Sequence, residues 1–93
     1  MLIGSLQIEL MIPDSNSLKQ KRYVLSSIKQ RLRNKFNVSV AEVDHQDLWQ
    51  RSVIGVVMVG NKQKFLTEAM QKILYFVDEQ DKLEITDHII EIL

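Results

Sequence analysis

Between positions 45 and 51 the chain reads HQDLWQR, which brings its sole tryptophan, one of its two histidines, an acid and a base into seven residues. His45 and Asp47 lie two positions apart, so an imidazole and a carboxylate could share a proton as a general base and its orienting partner do. That pair needs something to act on, and no serine or cysteine sits in a nucleophile motif, nor is there a glycine-rich phosphate loop. Asp44, His45 and Asp47, with His88 as a distant fourth, are metal-ligating types, yet their spacing matches no ligand pattern. The expectation is a protein that is not an enzyme and holds neither metal nor cofactor. A structural role fits the loop better: Asp44 caps one helical turn beginning at His45, with Asp47 near the positive end. Leu48 and Trp49 then fold back on the hairpin, with Arg51 stacked on or beside the indole. Tryptophan and arginine are enriched at binding hot spots, so His45, Asp47, Trp49 and Arg51 form the expected partner-binding set.

A second group of residues carries charge rather than chemistry. Leu18 to Lys35 holds seven of the twelve basic residues and no acid, while Glu68 to Leu93 holds seven acids against two lysines, although the net charge is zero. Cations in a helix's first turn oppose the macrodipole at about 0.3 to 1 kcal/mol each when exposed, and Lys19, Lys21 and Arg22 stand there. At 100 degrees per residue, Lys19, Arg22, Lys29 and Arg33 fall within an arc of about 80 degrees, with Tyr23 nearby on the solvent side. This ridge is the expected nucleic-acid-binding set, against the alternative of a solvated face that keeps a small protein soluble. Lys21 points toward the apolar stripe instead, to lay its stem on the sheet or to reach Asp14 or Glu42. Base stacking on the sheet, as in RRM domains, is excluded because RSVIGVVMV has no aromatic residue where that mode requires them.

The elements that must position these groups follow from periodicity. Leu2, Leu6, Ile8, Leu10 and Ile12 alternate with polar residues as a half-covered strand does. Ser17 and Gln20 make a capping box for a helix running to about Lys35, with Leu18, Leu25, Ile28 and Leu32 as its core stripe. Val38 to Val43 reads as a second strand and Ser52 to Val59, apolar on both faces, as a third. Gly60-Asn61 opens a second helix with Phe65, Leu66, Ala69, Ile73, Phe76 and Val77 at helical spacing, and Leu83 to Leu93 closes as a fourth strand. The order βαββαβ predicts an α+β ferredoxin-like sandwich: a four-stranded antiparallel sheet with both helices on one face, a single domain over residues 1–93. Of the third strand's two apolar sets, one must then face outward, which predicts a partner surface, another copy of the chain being the plainest candidate.

Zero cysteines remove thiol chemistry and fit a reducing compartment, and no apolar run approaches the roughly 20 residues of a membrane span. The expected setting is cytoplasmic, away from the membrane.

With PDSNSLKQKR at 13 to 22, RLRNKFNVSVAEV at 31 to 43 and HQDLWQR at 45 to 51, the chain resembles end to end the YlxP-like family of small bacterial proteins. The resemblance implies a ferredoxin-like fold and a link to translation, because genes of the family commonly sit near those for an initiation factor and ribosome-binding factor A. It brings no established activity. Gln20 departs from the family, which commonly has glutamate there, and leaves the helix start more positive. Together these readings predict a non-enzymatic binding protein that contacts ribosomal RNA or ribosomal particles through its basic first helix. The alternative is a homodimeric adaptor that binds through the open sheet face and the Trp49 loop.

Overall fold

The computed structural model describes residues 1–93 and shows six elements: β1 (Leu2–Met11), α1 (Leu18–Lys35), β2 (Ser39–Asp44), β3 (Arg51–Gly60), α2 (Gln63–Asp78) and β4 (Glu84–Ile92). The strands form one sheet in the order β2-β3-β1-β4, every neighbouring pair antiparallel. This is the ferredoxin-like arrangement that the element order predicts. Elements expected at 38–43, 52–59 and 83–93 are observed with each end shifted by one residue, where the ladders fray.

Strand alternation decides which side chains meet the helices. Leu6, Ile8 and Leu10 of β1 and Ile54, Val56 and Met58 of β3 point to the helix face and are buried, joined by Val40 of β2. From the helices come Leu25, Ile28 and Leu32 of α1 and Leu66, Met70, Ile73 and Val77 of α2. Each such side chain contributes about 1.5 to 3 kcal/mol through removal from water, set against the entropy of ordering it. Two expected stripe members are displaced: Leu18 is only partly buried, its stripe taken up by Lys21, and Phe65 is exposed while Met70 and Leu74 fill the core.

The start of α1 is fixed as its capping box predicts, with the Gln20 N–H donating to Ser17 Oγ at 3.1 Å. Gln20 Oε1 accepts from the backbone N–H of Asn16 at 2.6 Å, one residue earlier than the cap itself. The first turn therefore has its donors satisfied by neutral groups and contains no acid.

Candidate functional site

The loop from His45 to Gln50 connects β2 to β3 and is held from below by one side chain. Lys21 is buried with 0% of its surface exposed. Its Nζ donates to the carbonyl oxygens of His45 at 2.8 Å, Gln46 at 3.2 Å and Arg51 at 3.3 Å. It also forms an ion pair with Glu42 Oε2 at 2.9 Å. An ammonium has three protons and four oxygens surround it, so at least one proton is shared. Glu42 accepts a further bond of 2.6 Å from Ser52 Oγ, itself buried, which fixes the carboxylate across the β2–β3 ladder. Glu42, one of the two acids named for Lys21 from the sequence, is its partner; Asp14 is not. The cation breaks the helix rule for the sake of the loop, since carbonyls turned inward at a hairpin end would otherwise lose their hydrogen bonds.

The loop's conformation differs from the expected capped helical turn. His45 adopts φ 60, and the Leu48 N–H donates to its carbonyl at 3.1 Å, which closes a β-turn. Asp44 Oδ1 accepts from the adjacent His45 N–H at 2.7 Å and caps nothing beyond it. The left-handed backbone at His45 is what lets its carbonyl aim at Lys21 while the chain reverses. Leu48 and Trp49 do not fold back: they remain 44% and 55% exposed. Arg51 lies in β3 with its guanidinium 4.0 Å from Glu9 Oε1 instead of stacking on the indole. Gln50, which the sequence reading left unassigned, donates through Nε2 to the carbonyls of Pro13 and Ser15, both at 3.1 Å, and its backbone carbonyl accepts from the Ile12 N–H at 2.8 Å. Residues 13–15 and 45–50 are thereby one connected surface. Its signal in the sequence was only a glutamine beside two residues of greater chemical interest.

The four ridge residues of α1 divide. Lys19 and Arg22 are exposed and Lys29 is half-buried, and none of the three has an ion-pair or hydrogen-bond partner in the protein. Arg33 donates from one guanidinium nitrogen to the Val40 carbonyl of edge strand β2 at 3.0 Å, so its position is fixed and part of its donor set is used. Arg31 and Lys35, on the other flank, turn toward α2: Arg31 donates to Gln80 Oε1 at 2.7 Å and Lys35 Nζ sits 4.8 Å from the Phe76 ring centroid.

On the sheet's open side, the register places Ile3, Val57 and Val59 near one end and Arg51, Glu9 and Asp87 near the other. Val57 and Val59 are 42% and 57% exposed, whereas Val53 on the same side is buried. Six residues separate Arg51 from Val57, about 20 Å along a strand. Val57 and Val59 thus stand apart from the tryptophan loop, whereas Val43, 50% exposed and packed beside Gly55, lies next to it.

A family model described as "Protein of unknown function (DUF503)" matches residues 3–90. The chain belongs to this family. It is also 40% identical over 85 residues to the uncharacterized protein YlxP of Bacillus subtilis (strain 168), covering 91% of this chain and 92% of that one. The DUF503 match spans the basic helix, the Lys21 clamp and the hairpin loop together, so these features lie within the family's shared domain.

Proposed function

We propose that this protein is a non-enzymatic RNA-binding module that grips phosphates through the outer ridge of α1, acting on ribosomal RNA or ribosomal particles. The observation that carries the reading is the unpaired state of Lys19, Arg22 and Lys29 on a helix without a single acid between residues 18 and 35. Arg33 joins them with the donors its Val40 bond leaves free, because a guanidinium has five N–H groups. Such a ridge reads phosphate spacing and shape more than sequence. The test is filter binding of a duplex RNA across a salt series. Neutralising four phosphates predicts a slope of log affinity against log salt of about −3 to −4. The paired charge reversals Lys19→Glu and Arg22→Glu should abolish binding and co-sedimentation with ribosomal particles. Salt-independent binding, or unaltered binding by that variant, overturns the assignment.

A second reading is self-association across the open sheet face, which the half-exposed Val57 and Val59 beside Ile3 favour. Sedimentation equilibrium distinguishes its parts. Val57→Lys should dissociate a face-to-face dimer, and Trp49→Ala should weaken it only if the hairpin loop reaches the partner as well.

A further inference from the structure

The two edges of the sheet are treated differently. Strand β2 is short and has its outward Val40 carbonyl occupied by Arg33. These are the devices by which proteins close an edge to further strands. Strand β4 has a single neighbour, β1, and reads EITDHIIEI with no lysine and no proline. Ile3 and Leu93 exchange both backbone hydrogen bonds at 2.8 Å, which sets the antiparallel alternation of the β1–β4 ladder from Leu93 back to Asp87, where the register shifts between Glu9 and Leu10. Odd-numbered residues from 87 to 93 bond inward, and the carbonyls of His88, Ile90 and Ile92 with the N–H groups of Ile90 and Ile92 point outward. Only the outward N–H of His88 is occupied, by the neighbouring Asp87 Oδ1 at 2.8 Å. A helix-side groove of about 300 Å³, walled by Leu74, Tyr75, Asp78, Ile85 and His88, runs beside this edge. Tyr75 in it is 69% exposed.

The charge along the edge is of one sign. Glu84, Asp87 and Glu91 lie on β4 and Asp78 in the groove, and none of the four takes part in an ion pair. We propose that the β4 edge is a strand-addition site for an extended basic segment of another protein. Main-chain bonds to Ile90 and Ile92 supply the affinity, and alternate side chains supply the selectivity. Side chains on one face of the incoming strand lie along the Tyr75 groove toward Asp78; those on the other pass Ile89 and approach Asp87 and Glu91. Cationic residues with long apolar stems suit both rows, since the stems cover Tyr75 and Ile89 while the charges meet the carboxylates. A second copy of this chain is the wrong occupant: pairing β4 with its own image brings both sets of carboxylates together with no cation on either strand. This surface lies on the opposite edge of the sheet from the α1–β2 flank and is independent of the RNA-binding reading.

The test uses the full chain and a fluorescein-labelled eight-residue peptide with the repeat Lys-Lys-Val-Val, which places lysines on both faces of an extended strand. A second peptide has the same sequence with alternate amides N-methylated, on the face that would bond to β4. Fluorescence anisotropy should show binding of the first peptide and a loss of about tenfold or more for the second, because two backbone hydrogen bonds are removed. Asp87→Lys with Glu91→Lys, both at exposed positions, should weaken the first peptide by a similar factor, while Lys19→Glu with Arg22→Glu should leave it unchanged. Amide exchange at Ile90 and Ile92 should slow on binding. Equal affinity for the two peptides reduces the site to unspecific charge attraction and overturns the proposal. So does absence of binding, or a β4-mediated homodimer in sedimentation.

Discussion

Lys21→Met keeps the length and most of the volume of the buried stem and removes only the ammonium. In the native protein that ammonium meets Glu42 at 2.9 Å and three carbonyls between 2.8 and 3.3 Å. Without it the Glu42 carboxylate, whose side chain is 17% exposed, keeps only the Ser52 hydroxyl. Breaking a buried pair from one side costs about 3 to 5 kcal/mol, and the residual water contact of Glu42 places this case near 3 kcal/mol. A chain of this size has a total stability of about 5 to 14 kcal/mol, so the change is a large share of it. With a urea slope of about 1.5 kcal/mol per molar, the unfolding midpoint should fall by about 2 M. Adding Glu42→Gln, which retains an acceptor for Ser52, removes the orphaned charge, and the double variant should be more stable than the sum of the single losses predicts by about 2 kcal/mol. Trp49 reports the loop directly: its fluorescence anisotropy should decay faster in Lys21→Met because the carbonyls of His45 and Gln46 are released. A loss below about 1 kcal/mol, or additive single variants, would refute the view that this ammonium and carboxylate stabilise each other.

Two further contrasts probe the packing. A Cβ added at Gly60 would meet Leu66 Cγ at 3.2 Å and Cδ2 at 3.1 Å, whereas at Gly4 the nearest atom is the flexible Met70 Cε at 3.3 Å. Thermal melts should show Gly60→Ala destabilised by about 1 kcal/mol and Gly4→Ala close to neutral. Met70→Ala empties a fully buried position and should cost about 2 to 5 kcal/mol. Trp49→Ala, at a half-exposed position, should change stability by no more than about 0.5 kcal/mol, and a loss comparable to that of Met70→Ala would show that the indole is a packing residue after all.

Alternation and helical spacing made the fold readable, because burial on one face of each element is what those patterns record. Leu6, Ile8 and Leu10 in β1 and Leu25, Ile28 and Leu32 in α1 are core residues on that ground alone. Met70 was missed in α2 because the aromatic Phe65 drew the stripe toward itself; a side chain three residues inside the helix start can leave the core face as the chain enters from the sheet. The loop was harder. Its residues were visible as a group, but their arrangement is decided by a lysine 24 residues upstream of His45 and by backbone carbonyls, which carry no side-chain signature. A histidine with φ 60 cannot be read from its type, since left-handed backbone is set by the turn that encloses it.

The same lysine changes what the basic helix can be said to do. Three cations in one first turn looked like a single departure from macrodipole logic, and a shared cause would have made all three candidates for a ligand. Lys21 has a complete structural account in four oxygens and 0% exposure, so its presence says nothing about phosphate. Lys19 and Arg22 flank it on the exposed surface, with no internal partner. Lys19 in the first turn and Arg22 just beyond it have no compensating bond in the folded chain, and a local rule broken without a structural gain is where the proposed ligand would act. The case for the ridge therefore rests on fewer residues than the sequence suggested, and on ones whose charge the fold itself does not use.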